Sequence, residues 1–308
     1  MPRRVMKERK VSVAMATFNG GAFLAEQINS IVNQSLPPSE IVVCDDLSQD
    51  NSAEILKSYE SSGYLRYIPN ELRLGIIENF KKAVSLTEVQ NYIAFSDQDD
   101  IWMPHKLEML LHRMSEIDDG TTPALVYSDL AVIDKKGKVI RESFWNELGQ
   151  DTYVHCFETL LYGNFVTGCS MLINPPMRKL FLEMPSSSPM HDHWMALIGY
   201  SFGTASKIDL PLVKYRKHGS NAAFSASHLK KTAFRRRLQN LKLLVTGDQN
   251  YLKSEIAIAS LFLEKFKPLL SKKHHTLLLL LSQLRGRSFL KKKVSLHLAL
   301  RGPGRKEK

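Results

Sequence analysis

Four short stretches of the chain gather side chains that could do chemistry. Ser96-Asp97-Gln98-Asp99-Asp100 places three carboxylates within four residues. Such a group repels itself unless a cation or hydrogen-bond donors compensate. At the tip of a buried strand it forms a hard-oxygen site suited to Mg²⁺ or Mn²⁺. The plainer reading is a solvated turn capping a helix from Trp102 onward. Asp45 and Asp46 follow the apolar run Ile41-Val42-Val43-Cys44. They could accept hydrogen bonds from a base N–H or a ribose hydroxyl, or simply cap a helix, as Asp50 is expected to do. His191-Asp192-His193-Trp194 opens an apolar helix, where Asp192 is either a cap or a general base. Zinc would need a further ligand there. Arg216, Lys217 and His218 precede a Gly-Ser-Asn turn. Arginine can grip phosphate with two parallel bonds, although a basic strand end is more commonly solvated.

These stretches sit on a regular alternation of elements. Apolar, β-rich runs occur at 11–18, 40–46, 65–69 and 92–97. Helical patterns occupy Phe23 to Gln34, Ala53 to Tyr59 and Asn79 to Ser85 between them. Strands alternating with helices predict βαβ units and a mostly parallel sheet, whose ligands lie beyond the carboxyl ends of the strands. Three of the runs end in polar residues: Thr17-Phe18-Asn19, Asp45-Asp46 and Asp97 to Asp100. Further on, strands are expected at 124–134, 166–173 and 212–218, a hairpin turn at 135–138, and a helix from His193 to Tyr200. No GxxxxGK[ST], GxGxxG or GxSxG occurs, which disfavours phosphate-loop, dinucleotide-binding and α/β-hydrolase chemistries.

The chain has 308 residues and a net charge of +11. The charge divides unevenly, −5 over residues 1–225 and +16 over 226–308. A mildly acidic body and a basic helical C-terminal region are therefore expected as two domains with that boundary. Cys44, Cys156 and Cys169 are too few and too widely spaced for a zinc site or a disulfide framework, which fits a reduced, cytosolic protein. No run of residues is long and apolar enough for a membrane span or a secretory signal.

Taken in order, the motifs resemble family 2 glycosyltransferases with the GT-A fold. The strings that carry the resemblance are VSVAMATFNG, the Q-x-x-S-I-x-x-Q helix (Gln27, Ser30, Ile31, Gln34), EIVVCDDLSQDNS, NELRLGIIENF and SDQDDIWMPHKL. With the later HDHW and YRKHGSN they look most like the bacterial rhamnosyltransferase-type branch, over about residues 10–222. The resemblance implies a Rossmann-like α/β fold, a dTDP- or UDP-linked sugar donor, Mn²⁺ or Mg²⁺, and a hydroxyl acceptor. Thr17 and Asn19 would lie beside the nucleotide, and Asp45 or Asp46 would read the base. Arg73 and Asn79 would lie near base and phosphates. Asp97 and Asp99 resemble the family's DxD pair, Asp97 near the ribose and Asp99 on the metal. Arg216 and His218 are expected at the diphosphate, His218 also as a metal ligand. Asp192 falls where the family places its catalytic base. Two bulky aromatics usually follow that position, and here His193 replaces the first. A single displacement would invert the anomeric centre, because no second carboxylate is evident for a double displacement.

The tail has its own pattern. Phe234, Leu238, Leu241 and Val245 form an amphipathic stripe among Lys230, Lys231 and Arg235 to Arg237, and a second helical stretch covers about 270–300. Basic amphipathic helices suit an anionic membrane surface, where a lipid-linked saccharide acceptor would reside. A helical oligomerisation face is the competing reading. Nucleic-acid binding is not expected, since no aromatic platform accompanies the charge. The expected protein is thus a cytoplasmic, peripherally membrane-associated, inverting transferase building a cell-surface glycan. The alternative is a non-catalytic sugar-nucleotide or polyanion binder on the same scaffold.

Overall fold

The computed structural model describes residues 10–152, 154–218, 252–287, 291–292 and 294. The stripe expected around Phe234 to Val245 lies outside the described residues. The first half alternates as its apolar periodicity demands: β1 (Val11–Thr17), α1 (Leu24–Val32), β2 (Glu40–Asp45), α2 (Ser52–Ser61), β3 (Arg66–Pro69), α3 (Ile76–Ser85) and β4 (Tyr92–Ser96). Strands β1, β2 and β4 are buried along nearly their whole length, as befits a parallel sheet covered on both faces.

The chain then enters β5 (Ile101–Trp102) and α4 (Lys106–Ile117). Next come β6 (Ala124–Ile133), β7 (Val139–Arg141), α5 (Phe144–Leu148) and α6 (Phe157–Leu160). They are followed by β8 (Met171–Ile173), α7 (Pro175–Leu182), α8 (His191–Ser201) and β9 (Thr204–Arg216). Among the described residues the strands form one sheet in the order β3-β2-β1-β4-β8-β6-β9-β5, with β7 paired to β6. Pairing is parallel from β3 through β4 and between β6 and β9; β8 runs antiparallel to β4 and β6. The sheet is therefore the expected α/β type with a mixed second half.

Two elements differ from the sequence expectation. Ile101-Trp102 begins no helix, because it pairs with Val213 and Lys214 of β9. The strand expected at 166–173 is shortened to Met171–Ile173, with residues 168–170 in a 3₁₀ turn. That turn carries Gly168 towards α8.

Near the C-terminus, α9 (Lys253–Phe266) and α10 (Lys272–Ser282) share a core with the body. Phe262 and Phe266 of α9 lie 5.2 and 5.6 Å from the Trp194 ring of α8, centroid to centroid. Leu278 and Leu281 of α10 join the same buried cluster. The described part of the basic region is thus packed against the helix that bears Asp192.

Candidate active site

Helix α1 positions the acidic strand tip. Gln27 and Ser30 of α1 lie three apart on one face, and Gln34 follows just past its C-terminal end. Gln27 Nε2 donates to Ser96 Oγ at 2.7 Å, and Ser30 Oγ accepts from Trp102 N at 3.0 Å. Gln34 Nε2 donates to Met103 O at 2.8 Å, and its Oε1 accepts from Leu107 N at 3.0 Å. A buried polar stripe thereby fastens residues 96–107, and it explains why those glutamines accompany the acidic motif.

Within that segment, Gln98 caps the end of β1. Its Oε1 accepts from Thr17 Oγ1 and from Phe18 N, both at 2.7 Å, and its Nε2 donates to Phe18 O at 3.0 Å. A Cβ on Gly20 would meet Gln98 Oε1 at 2.5 Å, so the turn needs glycine there. Asn19 has φ 51° and accepts from Gln49 N at 2.8 Å, which joins the ends of β1 and β2.

Asp45 and Asp46 do different work. Asp45 accepts from Ser48 Oγ at 2.5 Å and Ser48 N at 3.2 Å. Asp46 accepts from Leu74 N at 2.6 Å, Gly75 N at 2.9 Å and Asn70 Nδ2 at 3.1 Å. It is the anchor of the 70–75 loop. Asn79 is buried and donates to Cys44 O at 2.9 Å while accepting from Asn70 at 2.8 Å. Arg73 is largely exposed, with its guanidinium carbon 3.6 Å from the centroid of the Phe18 ring. Arg73 and Phe18 thus form the open rim of this end of the sheet.

The acidic motif lies at the centre. Asp99 is buried and its Oδ2 lies 2.6 Å from His218 Nε2, while the His218 ring stacks on Phe23 at 5.2 Å. Arg216 N donates to Asp100 Oδ1 at 3.1 Å, and Arg216 Nε donates to Asp99 O at 2.8 Å. Its other nitrogens reach Lys135 O at 3.1 Å and Glu26 Oε2 at 2.5 Å. Arg216 is fully buried and fastens the acidic loop to β9. One oxygen each of Asp97 and Asp100 and the Cys169 sulfur lie within 4.8 Å of one another. Burial raises the Asp97 carboxyl well above the carboxylate range, with repulsion from Asp100, Asp99 and Asp192 added. Burial and the Asp99 charge push Asp100 up to about 7.

Lys106, unassigned by the sequence reading, lies beneath this cluster. It is wholly buried, donates to Cys169 O at 2.6 Å and sits 3.1 Å from the Trp102 ring centroid. Burial lowers its pKa to about 7, while attraction to Asp100 and Asp97 opposes the shift. Burial thus holds Asp97, Asp100 and Lys106 toward their neutral forms, and a divalent ion would favour the ionised carboxylates. The carboxylates of this cluster are hard oxygen donors of the kind Mg²⁺ and Mn²⁺ take, whereas the His218 imidazole is a softer nitrogen donor. Cys169 does not fit such an ion, because burial holds its thiol well above its ordinary value and neutral.

Asp192 stands on the first turn of α8. Its oxygens accept from His193 N at 2.6 Å and Gly168 N at 3.3 Å. Burial raises its pKa to about 6. The flanking histidines face inward: His193 Nε2 bonds Leu160 O at 2.9 Å, and the His191 ring packs on Phe80 at 4.8 Å. Burial holds both near pKa 4, hence neutral. Asp192 is the group of the three whose charge reaches Asp97.

A sheet with acidic strand tips clamped by a polar helix face is a recurring architecture, and the comparisons identify which one. The profile of glycosyl transferase family 2 matches residues 12–181. That is more than half of the chain, and the chain belongs to this family. It is 26% identical over 215 residues to TuaG of Bacillus subtilis, described as a putative teichuronic acid biosynthesis glycosyltransferase, covering 67% of this chain and 78% of that one. It is 35% identical over 99 residues to the dTDP-rhamnosyl transferase RfbG of Shigella flexneri, covering 30% and 34%. Against the UDP-Glc:alpha-D-GlcNAc-diphosphoundecaprenol beta-1,3-glucosyltransferase WfgD of Escherichia coli it is 26% identical over 161 residues, covering 51% and 61%. The aligned stretch thus spans less than two thirds of RfbG and of WfgD. Among solved structures, S. aureus TarS 1–349 in complex with UDP-GlcNAc superposes with a TM-score of 0.58 at 15% identity, covering 95% of this chain and 91% of that one. That likeness establishes the fold. The protein is a glycosyltransferase of the GT-A type.

Proposed function

We propose that this chain transfers a hexosyl or rhamnosyl unit from a UDP- or dTDP-linked donor to a hydroxyl of a cell-surface glycan, carried on a lipid, with inversion. The observation that carries the proposal is the placement of Asp192. Its charge acts on Asp97 at the end of β4, and burial raises its pKa to about 6, near the working range of a general base. The relatives act on such substrates by description: RfbG transfers from dTDP-rhamnose, and WfgD uses UDP-Glc with a diphosphoundecaprenol-linked acceptor.

In this reading Asp97, Asp99 and His218 would hold a divalent ion, which when bound would supply charge neutralisation for a diphosphate leaving group. Thr17, Asn19 and Asp45 border the nucleoside, with Arg73 and Phe18 at its open edge. Asp46, Asn79 and Arg216 act by holding the loops that carry these groups. Asp192 accepts the proton of the attacking hydroxyl, and its partners Gly168 N and His193 N fix its direction. The exposed Leu279 and Leu280 of α10, with Lys272 beside them, would rest on an anionic membrane surface, consistent with a peripheral cytoplasmic enzyme. Among the described residues no helix is long and apolar enough to cross a membrane.

The test is a donor panel of UDP-glucose, UDP-GlcNAc and dTDP-rhamnose with Mn²⁺ and extracted lipid-linked glycan. Nucleoside diphosphate release that requires both donor and extract is the expected result. Binding of a donor without release under any combination would favour the non-catalytic reading instead.

A further inference from the structure

The ladder between β6 and β9 slips at one place. Ser128 pairs with Ile208, but Asp129 pairs with Pro211, which leaves Asp209 and Leu210 outside the register. A bulge of this kind re-aims side chains and is over-represented beside active sites. Beside it lies a cavity of about 240 Å³ between β6, β9, the stretch from Ser143 to Asp151, and His155. Asp129, Asp151 and Asp209 line it with carboxylates, against one ammonium, Lys207, which is ion-paired to Asp209. Asn146 and His155 add an amide and an imidazole, and Trp145 adds an aromatic edge.

From this cavity we infer a saccharide subsite that holds the acceptor one sugar unit away from the reacting hydroxyl. The inference rests on the proposed transferase reading. Two features choose the ligand. Asp129 already accepts from Leu130 N, Ser143 Oγ and Trp145 N, so Asp151 and Asp209 are the carboxylates left to a ligand; they disfavour nucleotide or lipid diphosphate, whereas a neutral sugar offers them hydroxyl donors and packs a C–H against the Trp145 edge. The volume lies below the range of drug-sized pockets and suits a single ring. The third feature is the connection to the base. Trp145 Nε1 donates to Phe165 O at 2.9 Å, and Gln150 Nε2 donates to Asn164 O at 3.0 Å. Asn164 in turn hydrogen-bonds Asp192, and Gly168 N reaches the same carboxylate. The cavity wall and the base are thereby held by one segment, residues 164–168.

Saturation-transfer NMR on the full chain tests this with the methyl glycosides of glucose, N-acetylglucosamine, galactose and rhamnose as probes, and isothermal titration calorimetry tests inorganic phosphate and Ca²⁺. UDP with Mn²⁺ is measured in parallel. The variants are Asn146→Trp, which fills the cavity from an exposed position, and His155→Ala. The expected result is transfer to at least one glycoside, weakened about tenfold in affinity by Asn146→Trp, with UDP binding unchanged. No glycoside signal from the full chain, undiminished binding in both variants, or binding of Ca²⁺ or phosphate alone would overturn the inference. Failure of UDP to bind would instead strike at the transferase reading, and the glycoside result would still be read separately.

Discussion

At the scale of single residues, burial sets the chemistry of Asp192. Its folded pKa of about 6 lies above the ordinary carboxylate value of 3.8. The protonated form is therefore favoured by folding, so this group's stabilising contribution is present below the unfolded value and is lost as pH rises through about 6. Activity has the opposite sign, because a base must be ionised. We predict that kcat/KM falls about tenfold per pH unit below about 6, measured as a pH–rate profile. Asp192→Asn should lower turnover by roughly 10²–10⁴-fold, while thermal unfolding at neutral pH shows no loss of stability. Lys106 has the reverse character. Lys106→Met would leave Asp97 and Asp100 buried without their internal cation and should cost about 3–5 kcal/mol, measured by chemical denaturation. The acidic cluster from Asp97 to Asp100 was legible in the sequence as a position, because an apolar run stops abruptly there, whereas the roles proposed for Asp97, Asp99 and Asp192 come from the family resemblance. Lys106 was not legible, because its partner Cys169 O lies 63 residues away and a lysine in an amphipathic helix reads as solvated. The structural bonds of Asp46 and Arg216 were hidden for a related reason. Their bonds to the 74–75 backbone and to Glu26 exist only once the chain has folded.

At the scale of elements, the site depends on two supports. Helix α1 clamps the acidic segment through Gln27 and Ser30, with Gln34 just beyond its end, and the 3₁₀ turn at Gly168 holds Asp192. A Cβ on Gly168 would meet His191 Nε2 at 2.7 Å. Gly168→Ala should therefore shift the first turn of α8, costing about 1–3 kcal/mol in stability and depressing kcat more than donor KM. The alternation of strands and helices from β1 to β4 was readable, since period and length separate the two kinds of element there. The second half was less so. The run at 166–173 is uniformly apolar, and apolarity alone does not distinguish a strand from a 3₁₀ turn packed under α8. The bulge in β9 left no local trace either, because the slip arises from pairing with β6.

At the scale of the whole molecule, the described helices of the C-terminal region, α9 and α10, are tied to the body. Phe262 of α9 is fully buried against Trp194, so Phe262→Ala should destabilise the protein by about 3–5 kcal/mol, checked by thermal unfolding. Truncation at residue 225 would expose that core, so membrane docking is better tested in the full chain. Changing the exposed Lys267, Lys272, Arg285 and Arg287 to Gln should reduce co-sedimentation with anionic vesicles by about 1 kcal/mol per residue. Equal binding by the variant would assign the helices to another role. The charge split between body and tail was evident in the sequence, whereas the contact of α9 with the base-bearing helix was not, since it joins residues far apart in the chain. The central claim is that carboxylates on two different elements, the β4 tip and α8, act in one transfer reaction. Turnover of UDP- and dTDP-sugars with Mn²⁺ and lipid-linked glycan by the wild type, Asp99→Ala and Asp192→Asn tests it most directly. The account predicts that both variants lose turnover and that Asp192→Asn still binds the nucleotide. Wild-type turnover by both variants would contradict it.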